Sequence, residues 1–171
     1  MLKGLEDYLY LYIVSNVVGL VLLYCSSQWP RVGRLLFLLL FSWASWTNWR
    51  TALNTPEVYV SYADLSFLDL YKDFIHGWFS RHVGEVVGVI ATGQALIAIS
   101  MLLKGWLFKA GGMAAIIFLV AIAPFGVGSA FPCTLIMAAA MGVLLSKSHS
   151  YLWAAPPVPD QINVSYPWRI N

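Results

Sequence analysis

Five long apolar runs, with charges only at their ends, constrain what this chain can fold into more than any other feature. The runs cover Tyr8–Cys25, Gly33–Trp49, Gly84–Leu103, Lys109–Val127 and Ser129–Ser146. Each is about as long as the roughly 20 residues that an α-helix needs to cross a hydrocarbon core ~30 Å thick. We therefore expect an all-α protein, a polytopic membrane helix bundle with five transmembrane helices.

The composition argues against a soluble domain. Sixty per cent of the 171 residues are hydrophobic and 11% are charged, whereas a soluble domain carries about 25% charged residues. Helices that are apolar all round would need a core larger than a chain of this length can build. The net charge of +2 is dispersed without a basic stripe, so nucleic-acid binding has no support.

The pattern predicts one domain and a tail. We expect the transmembrane bundle to cover residues 1–150 and an extended tail to cover 151–171. The first run is followed by no small-x-small cleavage site, so it is interpreted as a retained helix rather than a signal peptide. Prolines in the tail favour an extended chain, and its Trp153, Tyr166 and Trp168 favour docking on a neighbour.

The placement of Lys and Arg predicts the orientation. With the N-terminus outside, six basic residues fall on the inner side: Arg31, Arg34, Lys104, Lys109, Lys147 and Arg169. Four fall on the outer side: Lys3, Arg50, Lys72 and Arg81. Both short inner loops are then basic, as the positive-inside rule requires. We expect the N-terminus outside and the C-terminus inside.

Residues 51–83 form the one sizeable predicted loop, on the outer side. Thr55-Pro56-Glu57 indicates the start of a short helix that runs through Ala63. Ser66–Asp69 matches a capping box, and apolar residues then recur at helical spacing over Leu70–Phe79. We expect an amphipathic helix of about 15 residues that lies in the outer interface or caps the bundle as a lid.

Aromatic residues are concentrated at the outer end of the second run. Trp43, Trp46 and Trp49 are three residues apart and share one side of the helix. One interpretation is an aromatic belt at the membrane interface; the other is a wall for a flat ring such as a quinone. Asn48 and Arg50 close the same helix and complete the candidate cofactor-binding group.

Gln94 is the most central strongly polar side chain of the five runs, and Asn16 is a second. Polar groups inside a membrane are costly and mark candidate functional sites. Each can also serve only as an interhelical hydrogen bond, worth about 1 kcal/mol. We count Gln94 among the candidate cofactor-binding residues.

Arg81, His82 and Glu85 cluster where the predicted lid meets the third long helix, and they are the candidate catalytic residues. His82 and Glu85 share a helix face, and a His–carboxylate pair can relay a proton to a reducible ring. The alternative is an ion-pair network that positions the lid. The pattern does not predict a metal site, because His76 alone is at hand as a further ligand.

Several motifs between residues 31 and 148 follow one family pattern. They are Arg34-Leu35-Leu36-Phe37, Trp46-Thr47-Asn48-Trp49, Tyr59–Ala63, Tyr71–Phe74, Gly93–Leu96, Lys104–Lys109 and Gly111-Gly112. On these motifs the chain resembles the DoxX-like superfamily, which includes the DoxD small subunit of thiosulfate:quinone oxidoreductases. The resemblance implies a four-helix core preceded by one added helix, quinone as a possible cofactor, a larger redox protein as partner and a bacterial cytoplasmic (inner) membrane.

Gln94 stands where the resemblance implies an intramembrane carboxylate, and an amide cannot exchange a proton. We therefore expect a membrane subunit of a quinone-linked redox complex that is accessory or quinone-proximal rather than catalytic by itself. Its expected partners are the lipid bilayer and other membrane subunits. The sequence leaves open a self-sufficient quinone-linked oxidoreductase, a small transporter or channel, and an assembly or scaffold protein.

Overall fold

A computed structural model of the protein describes residues 5–65, 69–147 and 152–153, and most of them are helical. Within these ranges there is no β-strand, so the prediction of an all-α protein is confirmed. The α-helices are α1 (Leu5–Gln28), α2 (Pro30–Asn54), α3 (Asp69–Phe74), α4 (Val83–Ser100), α5 (Gly105–Ile122) and α6 (Cys133–Leu145). All except α3 are long helices of the fold.

Three segments of the described chain have the length and hydrophobicity of membrane-spanning helices. Leu9–Gln28, Val83–Ser100 and Gly105–Gly126 are long and apolar enough to cross a membrane, which is compatible with an integral membrane protein. The α2 helix has sufficient length but carries Arg31, Arg34 and Arg50. The α6 helix has 13 residues. Length and composition therefore support three spans, not all five that the sequence predicts.

The long helices coincide with the predicted runs but differ at their ends. The sequence predicts α2 over 33–49, whereas the helix continues to Asn54, whose Nδ2 donates to the Arg50 carbonyl at 2.7 Å. The sequence predicts α6 from residue 129, whereas the helix begins after Pro132, which occupies the N-cap. Proline has no N–H to donate and is excluded from a helix interior.

The long helices form a closed ring in the order α1, α2, α4, α5, α6, and α6 packs back against α1. Trp29 alone joins α1 to α2, and residues 101–104 join α4 to α5. We call this side of the ring the turn end. The opposite side, the loop end, carries the segments that join α2 to α4 and α5 to α6.

The interior of the ring is packed unevenly. The main apolar cluster fills the turn end and includes Phe37, Met101, Phe108, Met141 and Leu144. A smaller cluster lies at the loop end and consists of Ala52, Ile75, Phe79, Val83 and Val87. Burial of apolar surface in the larger cluster is expected to hold the ring together where its helices are joined by the shortest turns.

Arg34 is built into the packed end. Its side chain is 5% exposed, with Nε donating to the Met101 carbonyl at 3.0 Å and Nη2 donating to the carbonyls of Met101 and Leu103 at 2.5 Å. The guanidinium carbon also lies 4.4 Å from the ring centroid of Phe108. Carbonyls at a helix C-terminus have no partner within the helix, so Arg34 supplies the donors that close α4.

Glycines on α5 allow close approach at the same end. A Cβ added at Gly111 would lie 1.8 Å from Ser100 Oγ of α4, and one at Gly112 would lie 2.6 Å from Leu145 Cδ2 of α6. At Gly111 the added Cβ would also lie 2.3 Å from Ser100 Cβ, so no side chain fits there unless the helices move apart. At Gly112 the obstructing atom is the movable end of the Leu145 side chain. The absence of a side chain at Gly111 therefore sets the spacing between α5 and α4.

The predicted lid is more irregular than the sequence suggests. The chain forms a 3-10 helix over Pro56–Leu65 instead of a short helix ending at Ala63. Further along, α3 continues into a π-helical turn over Ile75–Phe79, with non-helical angles at Gly77 (φ −87°, ψ −108°). A single amphipathic helix of the predicted length is not confirmed. Its predicted cap at residue 66 lies outside the described residues.

The tail is described at two positions only. The Leu152 N–H donates to the Leu102 carbonyl at 3.4 Å, which brings this part of the chain to the turn end. The predicted tail beyond Trp153, including Tyr166 and Trp168, lies outside the described residues. The prediction of a docked tail therefore stays a prediction.

Candidate functional site

The centre of the ring contains a partly open cavity of about 580 Å³ between the two apolar clusters. All the long helices and both loop-end segments contribute to its walls, and no described lining residue is charged. Most of the lining is apolar, as in Val18, Leu40, Phe41, Val87, Phe118, Ile122, Phe125 and Met137. A volume of this size suits a small organic ligand.

A chain of hydrogen bonds runs along one wall of the cavity. Tyr59 Oη donates to Asn48 Oδ1 at 2.8 Å, and Asn48 Nδ2 donates to Gln94 Oε1 at 2.8 Å. The three side chains come from the 3-10 helix, α2 and α4, and all of them line the cavity. Both amide oxygens in this series, Asn48 Oδ1 and Gln94 Oε1, accept a bond from a neighbouring side chain. The Gln94 amide nitrogen, Nε2, is therefore the donor that remains at the end of the series.

Two polar groups on the walls remain without a partner among the described residues. Gln94 is 4% exposed, and among the described residues its side chain makes one hydrogen bond, which its Oε1 accepts. Thr134 of α6 is 5% exposed, and its Oγ1 has no hydrogen bond. An unsatisfied buried polar group costs about 1–3 kcal/mol. Such groups in a cavity wall are therefore candidate contacts for a ligand.

The packing of α2 on α4 fixes the position of Asn48. One turn earlier, Ser45 Oγ donates to the Ala91 carbonyl of α4 at 2.7 Å. One residue later, the Trp49 ring packs on Gly88, where an added Cβ would lie 3.2 Å from Trp49 Cη2. These contacts on either side hold the Asn48 amide against α4.

The predicted tryptophan stripe does not form a single wall. Trp43 lines the cavity, although its side chain is 63% exposed. Trp46 is not among the described lining residues and lies under the Arg50 guanidinium, 5.5 Å from it. Trp49 packs between α2 and α4. Residues three apart drift by about 60° around a helix, and two such steps turn Trp49 away from the side of Trp43.

The predicted cofactor-binding residues therefore separate into two groups. The structure brings Trp43, Asn48 and Gln94 together at the central cavity, whereas Trp46 and Arg50 pair with each other outside it. The predicted interhelical bond of Gln94 is found with Asn48. Asn16 differs, because its Nδ2 donates to the Tyr12 carbonyl of its own helix at 2.9 Å.

The candidate catalytic residues lie apart from the cavity. The His82 ring stacks on Trp78, with centroids 4.5 Å apart, and His82 Nδ1 lies 2.9 Å from the Trp78 carbonyl. In the described part of the chain the ion pair found is Lys72–Asp69, so His82 and Glu85 are not paired there. Arg81 and Glu85 are both exposed. Their catalytic role stays a prediction.

Sequence reasoning assigns no site role to Tyr59 or Thr134. Tyr59 lies in a loop motif, and the structure connects it to the site through its bond to Asn48 and its place in the cavity wall. Thr134 is a lone hydroxyl near the start of an apolar run, and that isolation is the one sequence signal that marks it. Both become site residues because the ring closes around them, which is a property of the tertiary fold.

The arrangement can bind and orient a neutral ligand through uncharged side chains, since Asn48, Gln94 and Thr134 exchange hydrogen bonds. None of the described lining residues is a histidine, a carboxylate or a basic residue, and Tyr59 and Cys133 are the lining residues with a proton that can ionise. Comparisons of the chain with protein-family models, with curated proteins and with solved structures found no match. The functional inference therefore rests on the geometry of the cavity.

Proposed function

We propose that this protein is an integral membrane subunit of a quinone-linked redox complex and that it holds a quinone in the central cavity. The observation that carries the proposal is an apolar cavity of about 580 Å³ with the Gln94 amide donor on its wall. A quinone ring is flat, neutral and apolar on its faces, with carbonyl oxygens that accept hydrogen bonds. Gln94 Nε2 donates to one carbonyl, and the Thr134 hydroxyl is the second candidate donor.

The same walls support an accessory role over a catalytic one. Reduction of a quinone to a quinol takes up protons as well as electrons. The described lining contains no carboxylate, imidazole or other charged group, and the amide of Gln94 cannot supply a proton. In this proposal a partner subunit supplies the electrons. Arg81, His82 and Glu85 are the candidate proton route at the loop end, where Arg81 and Glu85 are exposed and His82 is partly buried.

The proposed membrane arrangement has all five long helices spanning the bilayer, with the N-terminus outside and the loop end on the outer side. Its support is the apolar outer surface of the ring, on which Leu11, Leu20 and Val89 are exposed. Such residues are stable against lipid and unfavourable in water as one large patch. The membrane we propose is the bacterial cytoplasmic one, and α3 with its π-helical turn covers the loop end as a lid.

The proposed relationship is to the DoxX-like superfamily, with α2, α4, α5 and α6 as the shared core. Motifs that are distant in sequence meet in space, which supports it. Asn48 bonds to Gln94, and Arg34 bonds to Leu103 beside the basic segment at Lys104. The added helix α1 is more than an appendage, since it closes the ring against α6.

The test is the quinone content of the purified protein. After extraction from its membrane in mild detergent, the wild type should carry quinone, measured by mass spectrometry of the lipid extract. Gln94→Leu should lose most of it because the donor is gone. Asn54→Leu, which removes an exposed amide of α2 away from the cavity, is the matched control and should retain it. Wild type without quinone, or Gln94→Leu with a full complement, would contradict the proposal.

A second measurement addresses the subunit claim. Chemical cross-linking in membranes, followed by purification, should recover the chain together with at least one other membrane protein. A chain that remains a lone monomer at native expression level, while its quinone is retained, would limit the proposal to quinone binding and contradict the subunit role.

A further inference from the structure

A second cavity, of about 540 Å³, lies between α4 and α5. It shares Ile90, Gln94 and Phe118 with the central cavity. These three side chains are therefore the common boundary of the two spaces. Among neighbouring long helices of the ring, α4 and α5 make the least extensive contact, which is consistent with a gap between them.

The second cavity is a groove that faces the outside of the ring. Its lining residues Leu96, Ile99 and Leu107 are exposed, so they contact lipid if the ring spans a bilayer. At Gly93 an added Cβ would meet nothing within 4 Å, whereas at Gly111 it would meet Ser100. The groove is thus open at the level of Gly93 and closed by the contact between the two helices towards the turn end.

We propose that this groove holds the hydrocarbon tail of an isoprenoid-tailed quinone whose ring occupies the central cavity. The boundary residues Ile90, Gln94 and Phe118 then form a lateral portal from the bilayer into the ring. The inference rests on the proposed quinone site and deepens it, because it identifies the ligand as a membrane-resident quinone rather than a water-soluble one.

Side chains cover both ends of the central cavity, so a tail must leave it between helices. The exposed lining residues Val14, Val18 and Trp43 place one open side at α1 and α2, and the groove is the opening on the side of Gln94. Tyr59, Phe79 and Phe125 line its loop end, and the main apolar cluster fills the turn end. The groove adjoins the cavity at Ile90, Gln94 and Phe118, and apart from Gln94 and Ser100 its described lining is apolar. The tail therefore lies against apolar side chains, and the hydrogen-bonding amide of Gln94 stands where the ring and tail meet.

A large side chain at Gly93 should block the groove, and a small one at the same position is the matched control. We call a substitution that blocks the groove a plug. Gly93→Phe places a ring in the open groove, and the free space around the Cβ position avoids a clash with the backbone. Gly93→Ala adds the Cβ without the ring. Ala114→Phe is an independent plug from the α5 side of the groove. Ala139→Phe adds the same ring at an exposed position of α6 that lines neither cavity.

The experiment compares two quinones that share one head group, one with a long isoprenoid tail and one without a tail. Each is titrated into phosphatidylcholine vesicles that contain the protein, and binding is followed by quenching of tryptophan fluorescence. Trp43 lines the central cavity, so the part of the quenching that Trp43→Phe removes reports occupancy by the ring.

The expected result is selective. Both plugs should weaken binding of the tailed quinone roughly tenfold or more, while the tail-less quinone should change by less than about twofold. Gly93→Ala and Ala139→Phe should bind both as the wild type does. Tailed binding that survives in both plugs, or equal loss of both quinones, would overturn the portal. Failure of the wild type to bind either quinone would instead overturn the quinone site itself.

Discussion

The two ends of the ring differ in how closely their helices pack and in how fully their buried polar groups are hydrogen-bonded. At the turn end, Arg34 donates to the carbonyls of Met101 and Leu103, and the glycines of α5 bring helices into close contact. Around the central cavity, the amide nitrogen of Gln94 and the hydroxyl of Thr134 have no partner among the described residues. The comparison indicates that one end provides stability and the other keeps space and hydrogen-bonding capacity for a ligand.

The largest effect is expected from Arg34→Leu at the turn end. The substitution leaves the carbonyls at the end of α4 buried without donors, at a cost of about 3 kcal/mol or more in the free energy of unfolding. Thermal unfolding in detergent measures it. Arg34→Lys keeps the charge but loses the forked geometry, and it should be intermediate. Equal stability of wild type and Arg34→Leu would contradict the role assigned to this residue.

Gly111→Ala should have the next largest effect. The new Cβ would lie 1.8 Å from Ser100 Oγ, so α4 and α5 must separate, at a cost of about 1–3 kcal/mol. The double variant with Ser100→Gly removes the obstructing side chain and should recover part of the loss. If Gly111→Ala unfolds at the same temperature as the wild type, the two helices are not in close contact at this end.

Thr134→Val tests the opposite behaviour at the cavity. Valine has a similar shape and removes a buried hydroxyl that has no partner, so the substitution should be neutral or stabilise the fold by up to about 1 kcal/mol. Quinone retention should fall at the same time. Thr134→Ser keeps the hydroxyl and should retain the ligand. A clearly destabilised valine variant would mean that the hydroxyl serves the fold.

Gly93→Ala should have the smallest effect and completes the comparison with Gly111. The added Cβ meets nothing within 4 Å, and alanine is the better helix former by about 1 kcal/mol. The variant should therefore be as stable as the wild type or slightly more stable, by the same thermal assay. A loss comparable to that of Gly111→Ala would show that the groove is closed.

The length of the apolar runs is sufficient to locate the long helices, because each run is continuous. It could not locate their ends, since the last turn of α2 continues through polar residues up to Asn54. Nor could it anticipate the irregular segment before α4, where Gly77 departs from helical angles while Ile75 and Phe79 are buried. These details depend on what the segment packs against.

The sequence predicts only part of the candidate site, because the rest depends on tertiary contacts. Gln94 is recognisable as an isolated polar side chain within an apolar run, and Asn48 as a polar residue that closes one. Tyr59 and Thr134 are not, because their role arises from closure of the ring. Arg34 was expected to mark the inner side of the membrane, and only the tertiary structure reveals that its guanidinium closes α4. The pattern of apolar and polar residues along the sequence predicts which side chains are buried, but it does not predict which side chains they contact.

The most direct test of the central claim is an experimental structure of the protein in native lipid, with neighbouring chains retained. We predict flat density in the central cavity, with one oxygen within hydrogen-bonding distance of Gln94 Nε2, and a tail that leaves between α4 and α5. A cavity filled by a lipid acyl chain alone, or a quinone bound elsewhere near Trp46 and Arg50, would contradict the account.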